Sequence, residues 1–162
     1  MQETSYASSA TIVMVFIIAL LLQILPMPEW SQGYRIPWTS LALIYWVLSA
    51  PHQVGVFSGW VLGLTQDALT GTMLGQHALT FSITAFICLQ LYQRIRVFPV
   101  WQQSTLVLAL LLLERIIHFW IISSSGHMPL TLLYWMPALL GGLLWPLIQL
   151  LLRDGRRLTH FG

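Results

Sequence analysis

The chain has 162 residues, of which 57% are hydrophobic and only 7% are charged, and its formal net charge is +2. Soluble domains carry roughly a quarter charged residues, so this composition excludes an ordinary soluble protein and predicts one embedded in a membrane. The positive charges form no continuous basic face and no nucleic-acid motif is present, which argues against nucleic acid as a partner. Cys88 is the one cysteine, which excludes an internal disulfide and a cysteine-rich metal site.

Apolar segments follow one another along the chain and predict an all-α fold, a polytopic bundle of six transmembrane helices in a single integral membrane domain over residues 1–162. The six segments are Ala10–Leu25, Trp38–Ala50, Val54–Thr70, His77–Gln93, Trp101–Ile122 and Pro129–Arg153. The first segment lacks the basic start and the small-residue cleavage site of a signal peptide, so we interpret it as a retained helix. Pro129 suits the first turn of the sixth segment, where Pro137 and Pro146 predict a bend.

The second segment is too short to cross a bilayer alone, because its length as a helix is about 20 Å and the hydrocarbon core is about 30 Å thick. We consider three solutions: a start near Tyr34, a kinked continuation past Pro51, or a short helix shielded by its neighbours. A related alternative replaces the three segments between Trp38 and Gln93 by two kinked spans. That alternative has five spans and places the N-terminus outside the cell.

The arginines predict the orientation. Arg94 and Arg96 lie between the fourth and fifth segments, and three more arginines follow the sixth, at 153, 156 and 157. With six spans these five fall on one side and only Arg35 falls on the other, so the five mark the cytoplasmic side. Both termini are therefore predicted to be cytoplasmic, and the Ser123–His127 loop to be periplasmic.

A lone acid, Asp67, lies among glycines in the sequence GLTQDALTGTMLG at residues 63–75. Gly59, Gly63, Asp67 and Gly71 are spaced by four residues and so share one helix face, and Gly75 continues the spacing. Small residues let membrane helices approach closely, whereas a charge in lipid is costly. We therefore expect Asp67 to face protein and the glycines to form a helix-packing or partner interface.

A second polar group lies in the fifth segment, where Glu114, Arg115 and His118 follow a run of leucines. Pairing Asp67 with Arg115, or Glu114 with Arg115 beside a protonated Asp67, would lower the cost of burial. We interpret the intramembrane polar cluster of Asp67, Glu114, Arg115 and His118 in three ways. It is a structural clasp, a partner-binding surface, or a relay for protons or substrate.

Enzyme readings find little support in the sequence. No GxSxG elbow, HExxH pair or phosphate-binding glycine loop is present, so we expect no catalytic residues and no cofactor. His52, His77 and His127 fall in predicted turns, where histidines are usually solvated. Glu114 and His118 are one helical turn apart, but two residues are a weak signal for a metal site, and none is predicted.

Several features together resemble the MreD family of bacterial inner-membrane proteins that determine rod shape. They are the short apolar spans, the Ala50–His52 turn, the pattern at residues 63–75, Trp101–Gln103, and Gly142–Pro146 near the end. The resemblance covers nearly the whole chain. It implies a non-catalytic membrane subunit of the machinery that inserts lateral-wall peptidoglycan in elongating cells. Asp67 matches the acid of the family's third-span motif, and Glu114 is a candidate for its fifth-span acid.

The family also implies partners: MreC first, then MreB and the rod-system glycosyltransferase and transpeptidase, directly or indirectly, together with membrane lipid. Its fold is similar to the substrate-binding component of energy-coupling-factor transporters. That similarity supplies an alternative function, a membrane component that binds a small molecule or lipid. For the partner interface, Gly141, Gly142 and Pro146 predict a bent, small-residue surface on the sixth span that receives a partner helix, or else packs on its own bundle.

Overall fold

The structure, a computed structural model, describes residues 8–128 and 131–158, without the side chains of Gln32 and of residues 154–158. Throughout these residues the fold is all-α, as predicted. Six α-helices follow in order: α1 Ser9–Ile24, α2 Trp38–Ser49, α3 Val56–Thr70, α4 Gln76–Ile95, α5 Val100–Ser124 and α6 Met136–Leu158. Two short 3₁₀ helices, Glu29–Tyr34 and Leu132–Trp135, precede α2 and α6.

The lengths of the helices differ. Within the described residues, three helical segments are long and apolar enough to cross a membrane, namely Gln76–Ile95, Val100–Ser124 and Leu132–Arg153. Helices α1 and α2 are apolar but shorter, at 16 and 12 residues. Between Trp38 and Ile95 the chain forms three separate helices, and the choice between five and six spans stays a prediction.

Helix α2 occupies the centre of the bundle. All ten residues from Thr39 to Leu48 are buried, as expected for a helix that is apolar around its whole circumference. It packs against α1, α4 and α6. Of the three solutions for this short segment, the structure therefore shows the last, a short helix covered by its neighbours.

The sixth helix differs from its prediction at the start. We expected it to begin at Pro129, which lies outside the described residues, and α6 instead begins at Met136 after the turn Leu132–Trp135. Pro137 occupies its first turn, where the missing N–H breaks no helical hydrogen bond. Pro146 lies inside the helix, and the bend predicted there stays a prediction.

The helix connections alternate between the two ends of the bundle. At one end, Ser125 after α5 donates a hydrogen bond to the sulfur of Met73 in the α3–α4 turn, at 3.8 Å, and Gly33 lies beside Leu133. At the other end, Ser49, Arg96 and Arg153 line one cavity. We call these the polar-cluster end and the arginine end, because the first also holds Asp67 and His118.

Candidate functional site

Asp67 lies in the last turn of α3 and is only 1% exposed. Its carboxylate caps the N-terminus of the next helix, α4. The backbone N–H of Gly75 donates to Oδ2 at 2.9 Å, that of His77 donates to both oxygens at 3.1 Å, and that of Ala78 approaches Oδ2 at 3.5 Å. The first amides of a helix have no partner within the helix and carry a partial positive charge. Gly75 precedes α4 and has no side chain that could cap the helix. Asp67 on α3 therefore provides the cap for α4.

The turn between α3 and α4 holds the carboxylate in place. Gly71 and Gly75 have φ of 69° and 100°, a left-handed conformation that glycine adopts without strain. Between them the hydroxyl of Thr72 donates to Asp67 Oδ1 at 2.7 Å. A Cβ at Gly71 or Gly75 would meet nothing within 4 Å. Their expected role in helix packing within the chain is therefore corrected: these two glycines shape the turn.

His77 connects Asp67 with α5. Its Nδ1 lies 2.6 Å from Asp67 Oδ1, the one ion-pair contact found among the described side chains. Its ring lies against that of His118, with centroids 4.6 Å apart and an interplanar angle of 71°. His118 Nε2 in turn lies 3.2 Å from the hydroxyl oxygen of Thr80 on α4. Asp67 thus reaches the fifth helix through His77.

Glu114 forms a second junction within the bundle. It is 5% exposed, and its two oxygens accept hydrogen bonds from two other helices. Ser40 on α2 donates to Oε2 at 2.7 Å, and Thr84 on α4 donates to Oε1 at 2.9 Å. A buried carboxyl group is tolerated when its oxygens are hydrogen-bonded. Glu114 therefore ties α5 to α2 and α4.

Arg115 does not pair with Asp67 as we expected. Its guanidinium carbon lies 5.4 Å from the ring centroid of Tyr134, and its backbone carbonyl accepts a hydrogen bond from the Tyr134 hydroxyl at 3.1 Å. The expected Asp67–Arg115 ion pair, and likewise the Glu114–Arg115 pair, is wrong. Consecutive residues point about 100° apart on a helix. With Glu114 turned toward α2 and α4, Arg115 faces the segment before α6.

A small cavity lies beside His77, Glu114 and His118, and each of the six α-helices contributes to its wall. Its volume is about 60 Å³, which corresponds to about two water molecules. Ten residues line it: Gln23, Pro37, Ser40, Gln66, His77, Leu111, Glu114, Arg115, His118 and Ala138. The side-chain oxygens of Gln23 and Gln66 are buried there without a hydrogen-bond partner among the described residues. The cavity is polar and suits water or a comparably small polar molecule.

His77 was expected to be solvated, and it is instead part of the polar cluster. Its side chain is only 15% exposed, because the turn between α3 and α4 places it against Asp67. Its position could have indicated this, because His77 is the second residue of α4. The backbone N–H groups of a helix's first turn have no partner within the helix and attract an acid. The hydroxyls of Ser40 and Thr84 were missed as well. Neither stands out in its own segment, since their importance comes from a carboxylate 74 and 30 residues away in sequence.

The glycines at 59 and 63 lie where α3 meets α4. A Cβ on Gly59 would approach the carbonyl oxygen of Phe81 to 2.9 Å, and one on Gly63 would overlap the backbone of His77 and Ala78. The closest approach of the two helices therefore falls one turn before Asp67. This proximity lets a side chain as short as aspartate reach the amides of α4.

The glycines at 141 and 142 are buried against α5. A Cβ on Gly141 would overlap Leu111, and one on Gly142 would lie 2.8 Å from Leu108 Cβ. The hypothesis that these glycines form an open surface for a partner helix is therefore wrong, because this chain's own helix covers them. Pro146 is exposed and lines the cavity at the arginine end.

The polar cluster joins neighbouring helices of the bundle. Within the part of the chain that the structure describes, no group of three or more His, Cys, Asp or Glu residues could hold a metal ion. Its carboxylates accept hydrogen bonds from neighbouring helices, which supports the structural clasp, while the partner-binding surface and the relay stay predictions. The fold and the cluster together define a class, that of helical membrane proteins whose buried ionisable groups fasten their own bundle.

Comparison with known proteins identifies the family. The family model described as rod shape-determining protein MreD matches residues 5–154. The rod shape-determining protein MreD of Haemophilus influenzae is 37% identical over 151 residues, which cover 91% of each chain. The chain belongs to the MreD family, whose members determine rod shape. No solved structure matches it, and the similarity to energy-coupling-factor components stays a prediction.

Proposed function

We propose that this protein is a non-catalytic membrane subunit of the cell-elongation machinery, and that it supports lateral peptidoglycan synthesis by binding the transmembrane helix of MreC. Membership of a rod shape-determining family supports a role in cell shape. The chain acts as one integral membrane domain in the bacterial inner membrane, with both termini in the cytoplasm. MreB and the rod-system glycosyltransferase and transpeptidase then associate with it directly or through MreC.

The observation that supports helix binding is a cleft between α1 and α3, of about 340 Å³. Its α1 side consists of Ser9, Ile12, Val13 and Phe16, and its α3 side of Phe57, Ser58, Val61, Leu62 and Thr65. Both sets follow the three- and four-residue spacing of one helix face. They form two ridges about two turns long with a groove between them, the shape into which a third helix packs. The hydroxyls of Ser58 and Thr65 add polar groups of the kind that favour association of membrane helices.

The polar cavity is too small to be the binding site of the alternative function, a component that binds a small molecule or lipid. Pockets for small molecules are typically 300–1,000 Å³, whereas the cavity lined by His77, Glu114 and His118 measures about 60 Å³. Its side chains are also engaged in joining helices. A partner-binding role leaves those contacts intact, because the cleft between α1 and α3 lies on the outer surface of the bundle.

The test fills the cleft with a larger side chain. Val61 is 43% exposed and lines the cleft; Val56 lies on the same helix, is 37% exposed and does not line it. We expect Val61→Trp to accumulate normally, recover several-fold less MreC on purification from detergent, and give rounded cells. Val56→Trp, the matched control, should behave as wild type.

Two results would contradict the proposal at different levels. If both tryptophan variants recover MreC equally well, the cleft is not the binding surface. If the wild-type protein recovers no MreC from its own membranes, the partner assignment itself fails. Saturable uptake of a small molecule by the purified chain with an energising module would instead establish the alternative function.

A further inference from the structure

A second cavity lies at the arginine end of the bundle, where α2, α4 and α6 finish and α5 begins. Its volume is about 300 Å³. Twelve residues line it: Tyr45, Leu48, Ser49, Ile95, Arg96, Val100, Gln103, Trp145, Pro146, Gln149, Leu150 and Arg153. Between Gln103 and Glu114, α5 rises by roughly 16 Å. The cavity is therefore separate from the polar cluster, and the family comparison assigns no role to it.

The inner wall of this cavity is a fixed network of amides. Gln103 is 7% exposed and donates to the carbonyl oxygens of Ile95 and Phe98, at 2.9 and 3.1 Å. Its own oxygen accepts from the Trp145 indole N–H at 3.4 Å and from the Gln149 amide. Since Gln103 links the α4–α5 turn to α6, the cavity has a built wall whose shape is set by hydrogen bonds.

Two arginines give the cavity its charge. Arg96 and Arg153 both line it and both are exposed. No carboxylate among the described side chains lies within ion-pair distance of either guanidinium. The N-terminus of α5 also opens here, since Val100 begins that helix, and its unpaired amides favour an anion. Among the described side chains, the charge on this side of the cavity is therefore positive.

Most of the remaining lining is apolar, with Tyr45 and Ser49 as the exceptions. Leu48, Val100 and Leu150 line the same cavity as the arginines, and Val100 and Leu150 are 45% and 52% exposed. A ligand that suits this lining has a negatively charged group and an apolar part. Guanidinium groups bind phosphate with paired hydrogen bonds, and basic pockets between membrane helices on the cytoplasmic side suit anionic headgroups.

We propose that this cavity binds the phosphate-bearing headgroup of an anionic phospholipid, with Arg96 and Arg153 on the phosphate and the apolar wall beside the first part of the acyl chains. The cavity volume lies at the lower end of the range for ligand pockets, so it accommodates a headgroup and its glycerol rather than a whole lipid. The proposal does not depend on the binding of MreC, since the α1–α3 cleft lies elsewhere on the bundle.

The experiment measures lipid retained by the purified full-length protein. The chain is placed in nanodiscs of mixed phosphatidylglycerol and phosphatidylcholine, and the retained lipids are counted by native mass spectrometry after release. We expect wild type to retain phosphatidylglycerol selectively. One arginine near an anionic lipid contributes roughly a fivefold gain in affinity, so Arg96→Gln with Arg153→Gln should reduce retention by roughly 25-fold.

Two further variants separate the cavity from general surface charge. Arg94→Gln removes a neighbouring exposed arginine that does not line the cavity, and retention should stay within about twofold of wild type. Val100→Trp fills the cavity and leaves every arginine in place, and it should lose retention. If Arg94→Gln loses as much lipid as the double variant, or Val100→Trp loses none, attraction to the surface explains the binding and the proposal is overturned.

A last arm distinguishes the two sources of phosphate. Inorganic phosphate at millimolar concentration should leave the retained phosphatidylglycerol in place, because it lacks the apolar part that the wall recognises. Displacement of the lipid by inorganic phosphate would show that the cavity takes a soluble anion, which would overturn the assignment to lipid.

Discussion

Asp67 binds His77 twice, accepting its backbone N–H at 3.1 Å and facing its ring Nδ1 at 2.6 Å. One carboxylate therefore caps helix α4 and also orients the side chain that contacts α5. From His77 the contacts continue to the ring of His118, and from His118 to the hydroxyl of Thr80. This relationship explains why an apolar chain keeps an acid at the end of its third helix.

Removing the acid should destabilise the protein. Asp67→Ala leaves the amides of Gly75 and His77 without their acceptor, and we expect the free energy of unfolding to fall by about 1–3 kcal/mol. Asp67→Asn keeps one side-chain oxygen and should lose less. Thermal unfolding of the purified variants in detergent measures both effects, and accumulation in the membrane should follow the same order.

A companion variant tests the corrected partner of Asp67. Adding Arg115→Gln to Asp67→Ala should not restore stability, because Arg115 contacts Tyr134 rather than Asp67. Restored stability in the double variant would show that the acid is paired with Arg115, contrary to the structure.

The spacing of α3 and α4 gives a second prediction. A Cβ on Gly63 would overlap the backbone of Ala78 and His77, and backbone atoms cannot move aside as a flexible side chain can. Gly63→Ala should therefore lower the free energy of unfolding by about 1–3 kcal/mol or more. Gly55→Ala serves as the control, because its added Cβ would meet only Leu89 Cδ1 at an ordinary 3.5 Å.

Equal stability of the two alanine variants would contradict the close approach of the helices. Circular dichroism during heating compares them directly. Accumulation of Gly63→Ala in the membrane should also be reduced, since helices forced apart no longer place Asp67 against the amides of α4.

The apolar runs were sufficient to predict most of the helices. Helix α2 begins at Trp38 and α3 ends at Thr70, as expected from the sequence, because turn residues bound both segments. The start of α6 was misplaced, because Pro129 offers a good first turn while the chain instead forms a 3₁₀ turn before Met136. Local propensity cannot distinguish these two starts without the packing of Tyr134 on Arg115.

The polar cluster was harder to predict than the helices. Burial cost alone indicated that Asp67 and Glu114 face protein. The choice of partner depends on how each helix is rotated relative to its neighbours. Sequence spacing shows which residues share a face of one helix, but not which face of another helix lies opposite. A full positive charge on Arg115 favoured it over His77 as the partner of Asp67. The turn between α3 and α4 places His77 against the acid, because Gly71 and Gly75 adopt left-handed conformations there.

The buried glycines of α6 give a third prediction. Gly142→Leu should place its Cβ 2.8 Å from Leu108 Cβ, so we expect overpacking that costs about 1–3 kcal/mol of stability and lowers accumulation in the membrane. Any loss of MreC recovery should then be proportional to the loss of protein. Leu143→Ala is the control, because Leu143 is 78% exposed on the same helix. Normal accumulation of Gly142→Leu with loss of MreC alone would contradict the internal packing of this glycine.

The last prediction concerns the side of the membrane on which each end of the bundle lies. Arg94, Arg96 and Arg153 all belong to the arginine end, and arginines concentrate on the cytoplasmic side. The loop Ser123–His127 lies at the opposite end and should therefore be periplasmic.

Because the single cysteine, Cys88, is fully buried, cysteines introduced elsewhere can be labelled with little background. A thiol reagent that does not cross membranes should label Ser125→Cys in intact spheroplasts, and should label a cysteine added after Gly162 only once the membrane is permeabilised. Labelling of both positions before permeabilisation would contradict the orientation and, with it, the cytoplasmic position of the cavity lined by Arg96 and Arg153.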